Sequence, residues 1–597
     1  METENPAASQ MPVVQMPNLQ APNLQVPHPQ MPNPQAPPAR TPIEAVLRSL
    51  GLPANQIRLA RLRADLTGEH LAQVLADFGL LSGESVARAF ALEHGQLAYF
   101  SPEQARAVDA LALARLALAV PDSPGFVPVA WDGHTLTVAV EDGAGLLAAG
   151  NAFHRYACRF VFASRQTIRH VWGRCFSDSA GQFDRCLQAF RQEGVPNGVG
   201  GEVRGLLLAL LRHACHAGAS DIHLYRTGSV GLVRVTVDGV GQVFRVVSEE
   251  AFERLITRLI HDARIREDEL RLAGLREGAL ELAELASLPE GRFLARYAFR
   301  VELGVARSGR TAVIRVLDRD SDAADFDSLG FDPEAALVLR RLVQQHSGLV
   351  LVTGPTGSGK TTTLYALLKL IDPEQVSIQS IEHPVEYHHG LWMQYEVRRQ
   401  TEHEGLEWAR WLKGLLRNAP RVILMGEVRD GETARILMEA ANTGHLVFTT
   451  LHANSAASAV GRLRRLGVAG GDLADALQLV LAQRLLRCLC TACAEPDVAA
   501  DAALLARWPG LRRAHPEGCP ACAGTGYRGR ALVYELLLAN DAVREHILEE
   551  APSTLLRRDG YLGGRTLWHS GERLLREGLT SLEELDRVAG PPPERPV

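Results

Sequence analysis

Hydrophobic positions recur along this chain in several rhythms, and each change of rhythm marks where one folded unit gives way to the next. Between 41 and 175, HLAQVLADFGLLSGESVARAFALEHG carries apolar residues at helical spacing, and HTLTVAVEDG then alternates as a half-buried strand does. A small mixed domain is expected there. Over 176–201, SDSAGQ and EGVPNGVGGE flank a short helical stretch, which reads as a linker. A helix and the alternating runs ASDIHLY, VGLVRVTVDGVGQVFRV and RYAFRVELGVARSGRTAVIRVL predict an α+β domain over 202–326. From 327 to 486 the strands become continuous apolar runs. GLVLVTG, VSIQSIE, VILMGEV and LVFTTLH alternate with helical segments, the order of a parallel sheet covered by helices. The chain is therefore a multidomain α/β protein, and its chemistry is expected at the carboxyl ends of those strands.

Length agrees, since 597 residues exceed what one hydrophobic core organises. Residues 1–40 repeat Pro, Gln, Asn and Met in units such as MPNLQAPNLQVPHPQMPNPQ, too poor in apolar area to offset the entropy of ordering. A disordered or partner-recruiting tail is expected. No run of about 18 apolar residues occurs, and METENPAASQ lacks the pattern of a secretory signal, so a cytoplasmic chain is expected. A formal charge of -6 offers no basic footprint for nucleic acid, which is not the expected partner. The only lysines are Lys360, Lys369 and Lys413, which gives weight to a lysine in a motif.

One of them stands in such a motif. Gly354, Pro355, Thr356, Gly357, Ser358, Gly359, Lys360 and Thr361 match G-x-x-x-x-G-K-[ST] between the strand GLVLVTG and the helix TTTLYALLKL, in which Thr362 comes second. Glycines let backbone N–H groups turn toward phosphates at the positive end of a helix. Lys360 supplies charge to the β and γ phosphates of ATP, and the Thr361 hydroxyl is the expected ligand of Mg²⁺. The match in this setting argues against a plain glycine-rich turn. Hydrolysis needs acids as well. VILMGEV ends in Glu427, and VSIQSIEHPVEY carries Glu382 and Glu386, so a parallel sheet would bring these acids to the edge that carries the loop.

Five of the nine cysteines lie between Cys488 and Cys522. Cys490-x2-Cys493 and Cys519-x2-Cys522 form two hooks whose sulfurs can face one tetrahedral Zn²⁺, with Cys488 a spare nearby. Such a closed site, over 487–530, contributes folding energy rather than catalysis.

Through ASDIH, GPTGSGKTTTLY, IEHPVEY, GEVRD and TGHLVFTTLHAN, residues 200 to 590 resemble the assembly ATPases of type II secretion systems and type IV pili. The resemblance implies a RecA-like motor domain after a PAS-like α+β domain, a four-cysteine element and a C-terminal helical region over 531–597. It also implies a homo-hexamer beneath the inner membrane that drives pilin subunits out of it. On the matching positions it implies Glu386 as the water-activating base and Glu427 as the acid near Mg²⁺. His445 and His452 fall on the family's loop histidines, which sense or contact phosphate, and Arg300 and Arg315 on arginines that reach the nucleotide. Asp221 and His223 match structural residues. The chain departs from the family at His383, Ala419 and Arg421, where acids are usual, and those changes bear on turnover. Residues 43–174 resemble the family's N-terminal domain, which docks to an inner-membrane platform protein, but lack the Arg-Leu-Gly-x-x-Leu pattern of the versions that bind cyclic di-GMP. A nucleic-acid translocase and a weakly active nucleotide-binding scaffold are the competing functions.

Overall fold

The computed structural model describes residues 42–591 except 96, 115, 117, 119, 121–124, 193–200, 267–274, 281–292, 319–323, 398–403, 499 and 523, so the repetitive tail lies outside the described residues. The N-terminal part is built on four strands, β1 (Ala98–Tyr99), β2 (Phe126–Trp131), β3 (Thr135–Val140) and β4 (Ala157–Phe162), in the order β1-β4-β3-β2. The helices Ala54–Thr67, Leu71–Asp77 and Gly83–Glu93 pack Ile57, Leu75 and Phe90 into a core with Leu136 and Val138 of β3. The helix Gly83–Glu93 begins where it does because the Ser82 side chain accepts from the Ser85 N–H.

Next comes an antiparallel sheet of β5 (Ala219–Thr227), β6 (Val230–Val237), β7 (Val240–Ser248), β8 (Leu275–Leu280), β9 (Tyr297–Ala306) and β10 (Gly309–Asp318), ordered β7-β6-β5-β10-β9-β8. Asp238 and Gly239, both at positive φ, make the tight turn from β6 to β7. Ile222, Leu224, Val233, Val235 and Ile314 share a core with the helices Gly201–His216 and Glu249–Asp262. The expected linker over 176–201 is largely something else. The short helical stretch expected inside it is the helix Ser179–Gln192, which buries Phe183, Leu187 and Phe190 against Leu206 and Leu210 and so packs with the domain that follows.

The third sheet holds β11 (Gly348–Thr353), β12 (Ile378–Glu382), β13 (Met393–Glu396), β14 (Val422–Met425), β15 (Leu446–Leu451) and β16 (Leu477–Leu489). A two-stranded piece, β17 (Glu495–Pro496) with β18 (Arg512–Arg513), precedes its last strand, β19 (Tyr527–Leu538). The order is β13-β12-β14-β15-β11-β16-β19. All pairs are parallel except β16 with β19. Every residue of β11 is buried, Leu349 and Leu351 in the core on one side of the sheet, Val350 and Val352 in the core on the other. That is why its sequence does not alternate.

Two features depart from expectation. The limits at 486 and 531 fall inside β16 and β19, because these strands pair with each other across the cysteine segment, so the sheet continues past 531 into the region expected to be helical. β16 follows β11 only as far as Ala482, opposite Thr353, and its remaining residues run on beyond the sheet with β19 alone. Among the described residues no helix is long and apolar enough to cross a membrane.

Candidate active site

The phosphate loop leaves β11 and enters the helix Lys360–Leu368, whose N-cap is Gly359 at φ 82°. Gly354 and Gly357 also have positive φ. At Gly354 a Cβ would lie 2.5 Å from Ser358 Oγ and 2.6 Å from Gln483 O, so only glycine lets the loop close on itself. Gln483, at the point where β16 leaves the sheet, donates from Nε2 to Ser358 O at 2.7 Å and fixes the loop from beneath. Lys360 Nζ donates to Gly354 O at 3.0 Å and Pro355 O at 2.9 Å. Burial lowers the affinity of Lys360 for its proton, Glu427 and Glu386 oppose that, and Arg484 adds to it. The loop thus forms a narrow cradle with a cation across it, a fit for phosphate.

The parallel strands bring the acids to the same edge. Glu386 follows β12 and hydrogen-bonds the Thr361 side chain. Its tip reaches solvent, yet the protein packed around it pushes its carboxyl above the ordinary range, against the Thr361 bond and the charges of Arg315 and Lys360. Glu427 follows β14 and is paired with Arg429, and His452, after β15, holds Nε2 at 3.6 Å from its Oε2. Thr362 Oγ1 lies 3.0 Å from the Tyr387 hydroxyl.

Arg315 sits on β10 opposite Arg300 of β9 and Asp221 of β5, and its Nε meets Asp221 Oδ1 at 2.9 Å. Its charge acts on Glu386, so the middle sheet turns Arg315 toward the site, while Arg300 stands one strand farther out. His223, expected to be structural, has Nε2 3.2 Å from Thr236 Oγ1 on the neighbouring strand.

His445 is not brought to the loop. It precedes β15, at the opposite edge of the sheet, and its Nδ1 lies 3.0 Å from Ala440 O, where it caps the helix Gly431–Asn442. Because the strands run parallel, residues just after a strand gather at one edge of the sheet and residues just before it at the other. Glu382 is also turned away. It is buried and accepts from Tyr365 Oη at 2.7 and 2.8 Å and from Ser380 Oγ at 2.6 Å. At the positions lacking the usual acids, His383 Nδ1 donates to Val397 O at 2.6 Å, Arg421 lies against His346, and Ala419 adopts a left-handed conformation. Gln483, Arg484 and Arg429 were missed. Arg484 donates to Asn454 O at 2.8 Å and stands near Lys360, a place that nothing in its local sequence announces.

The four cysteines gather at the far end of the β16 and β19 pair, with Cys490 and Cys519 sulfurs 3.8 Å apart and Cys493 and Cys522 likewise. Four thiolates bound tetrahedrally at about 2.3 Å lie about 3.8 Å from one another, the spacing found here. The Cys519 and Gly526 N–H groups point at Cys522 Sγ from 3.1 and 3.2 Å, as bonds supporting a metal thiolate do.

A model of the type II/IV secretion system protein family matches residues 200–587, and one of the MshEN domain matches 96–182. The chain is 36% identical over 392 residues to type II secretion system protein E of Pectobacterium carotovorum subsp. carotovorum, covering 64% of this chain and 75% of the relative. It is 32% identical over 550 residues to the type IV pilus assembly ATPase PilB of Thermus thermophilus, covering 87% of this chain and 59% of the relative. Among solved structures, the pilus retraction motor PilT with bound ADP is 27% identical with a TM-score of 0.44, covering 64% of this chain and 97% of that one. With a phosphate loop, two acids and an arginine at one sheet edge, and a family match over residues 200–587, this chain belongs to the type II/IV secretion system protein family and is an ATPase.

Proposed function

We propose that the chain is the motor that powers assembly of a type IV pilus or a type II secretion pseudopilus, driving pilin from the inner membrane by ATP hydrolysis. The observation that carries this reading is the convergence of Lys360, Thr361, Glu386, Glu427 and Arg315 on one edge of the sheet. In the proposed reaction water attacks the γ phosphorus, the bond to the bridging oxygen breaks, and the water's proton passes to Glu386. Lys360 and the loop N–H groups hold the phosphates, and Arg315 offsets charge developing on the transferred group. Mg²⁺, when bound, neutralises phosphate charge; Thr361 would hold it directly and Glu427 through water. The sulfur spacing supports a structural Zn²⁺ on Cys490, Cys493, Cys519 and Cys522. The working assembly is a homo-hexamer beneath the inner membrane, joined through its N-terminal domain to a platform protein and only indirectly to pilin.

ATPase assays on the purified full chain test this. Lys360→Ala is expected to abolish turnover, and Glu386→Gln to lower kcat by about 10²- to 10⁴-fold. Wild-type activity no higher than that of Lys360→Ala would identify a scaffold instead of a motor. Stimulation by single-stranded DNA, in place of a membrane platform partner, would identify a nucleic-acid translocase.

A further inference from the structure

Residues 383–392, between β12 and β13, carry Glu386 and are fastened from several sides. Gln394, on β13, donates from Nε2 to Tyr387 O at 2.9 Å, while its Oε1 accepts from the His389 N–H at 2.8 Å. The same Nε2 lies 2.8 Å from the Tyr365 hydroxyl. His389 is buried, with its ring stacked on Trp392 at 4.0 Å and 10°. Trp392 packs on Tyr365, and Tyr365 on Tyr387, each at 5.2 Å between ring centroids. Tyr387 is the residue after Glu386, so an unbroken chain of ring contacts, stacked, tilted and edge-on in turn, links His389 to the acid's own backbone.

The other side of His389 is closed by the N-terminal part of the chain. Gly79, in the turn after the helix Leu71–Asp77, has φ +75°, and a Cβ there would lie 2.4 Å from His389 Cδ2. Across the same join a Cβ on Gly390 would lie 2.8 Å from Asp77 O. Two glycines therefore let backbone and ring meet with no room for a side chain.

We propose that His389 is a positioning residue for Glu386 and that the turn at Gly79 is the stop against which it is seated, so that the N-terminal domain sets the turnover of the motor. This rests on Glu386 being the base. A base must hold its oxygen within hydrogen-bond reach of the attacking water, and a displacement of about 1 Å costs up to two orders of magnitude in rate. The phosphate loop has an anchor of its own in Gln483, besides the Glu386–Thr361 and Tyr387–Thr362 bonds, so nucleotide affinity is expected to follow the position of His389 far less than turnover does.

Steady-state ATPase measurements on the full-length oligomer compare five variants. Gly79→Ala and His389→Ala are expected to lower kcat about tenfold while the KM for ATP stays within about twofold, and His389→Phe, which keeps a planar ring on Trp392, to recover most of the loss. Gly68→Ala is the control for backbone strain, since Gly68 has φ +73° in the same domain with nothing within 4 Å of a Cβ. It is expected to turn over as wild type. Unchanged kcat in Gly79→Ala or His389→Ala, an equal fall in Gly68→Ala, or no recovery in His389→Phe would overturn the proposal. Should Gly79→Ala not fold, the His389 pair decides alone. Glu386→Gln, the fifth variant, separates the two claims: if it is inactive while Gly79→Ala runs at the wild-type rate, only the positioning claim falls. If it keeps wild-type turnover, the base assignment falls and takes the positioning claim with it.

Discussion

Glu386 and Glu382 stand four residues apart and meet opposite fates. Glu386 must be ionised to accept a proton, and the packed protein around it raises its pKa. Its rate contribution therefore declines as pH falls through that raised value, which places the acid limb of the kcat/KM profile above the ordinary carboxylate range; a pH series on wild type and Glu386→Asp measures it. Burial likewise raises Glu382, from 4.5 to about 7, while the bonds from Ser380 and Tyr365 oppose the shift. The folded state binds this proton more tightly, so the group's contribution to stability is complete below 4.5 and is lost as pH rises to about 7. Urea unfolding at pH 5 and pH 8 is expected to show a loss of at most roughly 3 kcal/mol in wild type that Glu382→Gln lacks. The loop at 354–361 was legible in sequence because its residues are contiguous and their spacing is the mechanism. The separation of Glu382 from Glu386 was not, because it depends on Tyr365, which meets Glu382 only after the strand and helix have packed. His445 was misplaced because its role was taken from the resemblance, although its position just before LVFTTLH puts it at the start of β15, opposite the loop.

The elements of the motor sheet were readable where every residue of a strand is buried, as in β11, β14 and β15. β13 escaped because four residues at an edge, none of them buried, give no periodicity. The pairing of β16 with β19 escaped because the cysteine segment stands between the partners. That pairing is secured at its outer end by Glu584, fully buried, which accepts from Arg487 Nη2 at 2.8 Å and is paired with Arg587 at 2.7 Å. Burial alone would raise the Glu584 carboxyl, but these bonds hold it below its ordinary value. Glu584→Ala would leave Arg487 unpaired and is expected to cost roughly 3–5 kcal/mol, measured as faster hydrogen exchange in β16, β19 and the helix Leu582–Ala589. For the metal, elemental analysis should find one zinc per chain in wild type. Cys490→Ser should lose it and become open to protease between β16 and β19.

At the scale of the molecule, the N-terminal part is bonded directly to the motor. Asn55 Nδ2 donates to Asp372 Oδ2 at 2.8 Å and to Glu374 Oε2 at 2.7 Å, and the Ser82 and Ser85 hydroxyls both donate to Asp325. These charge-assisted bonds tie the two parts together, so the double variant Asp325→Ala, Asp372→Ala should raise exchange in the helix Gly83–Glu93 while the phosphate loop keeps its protection. Sequence alone gave no sign of such a contact, since hydrogen bonds between residues hundreds of positions apart leave no local trace. The overhang of β16 has a consequence of its own. Seven residue steps lead from Gln483, which grips the phosphate loop, to Cys490, a span of about 23 Å. One continuous strand therefore ties the phosphate loop to the cysteine knot, and by geometry alone a tilt of about 10° at Gln483 would displace Cys490 by about 4 Å.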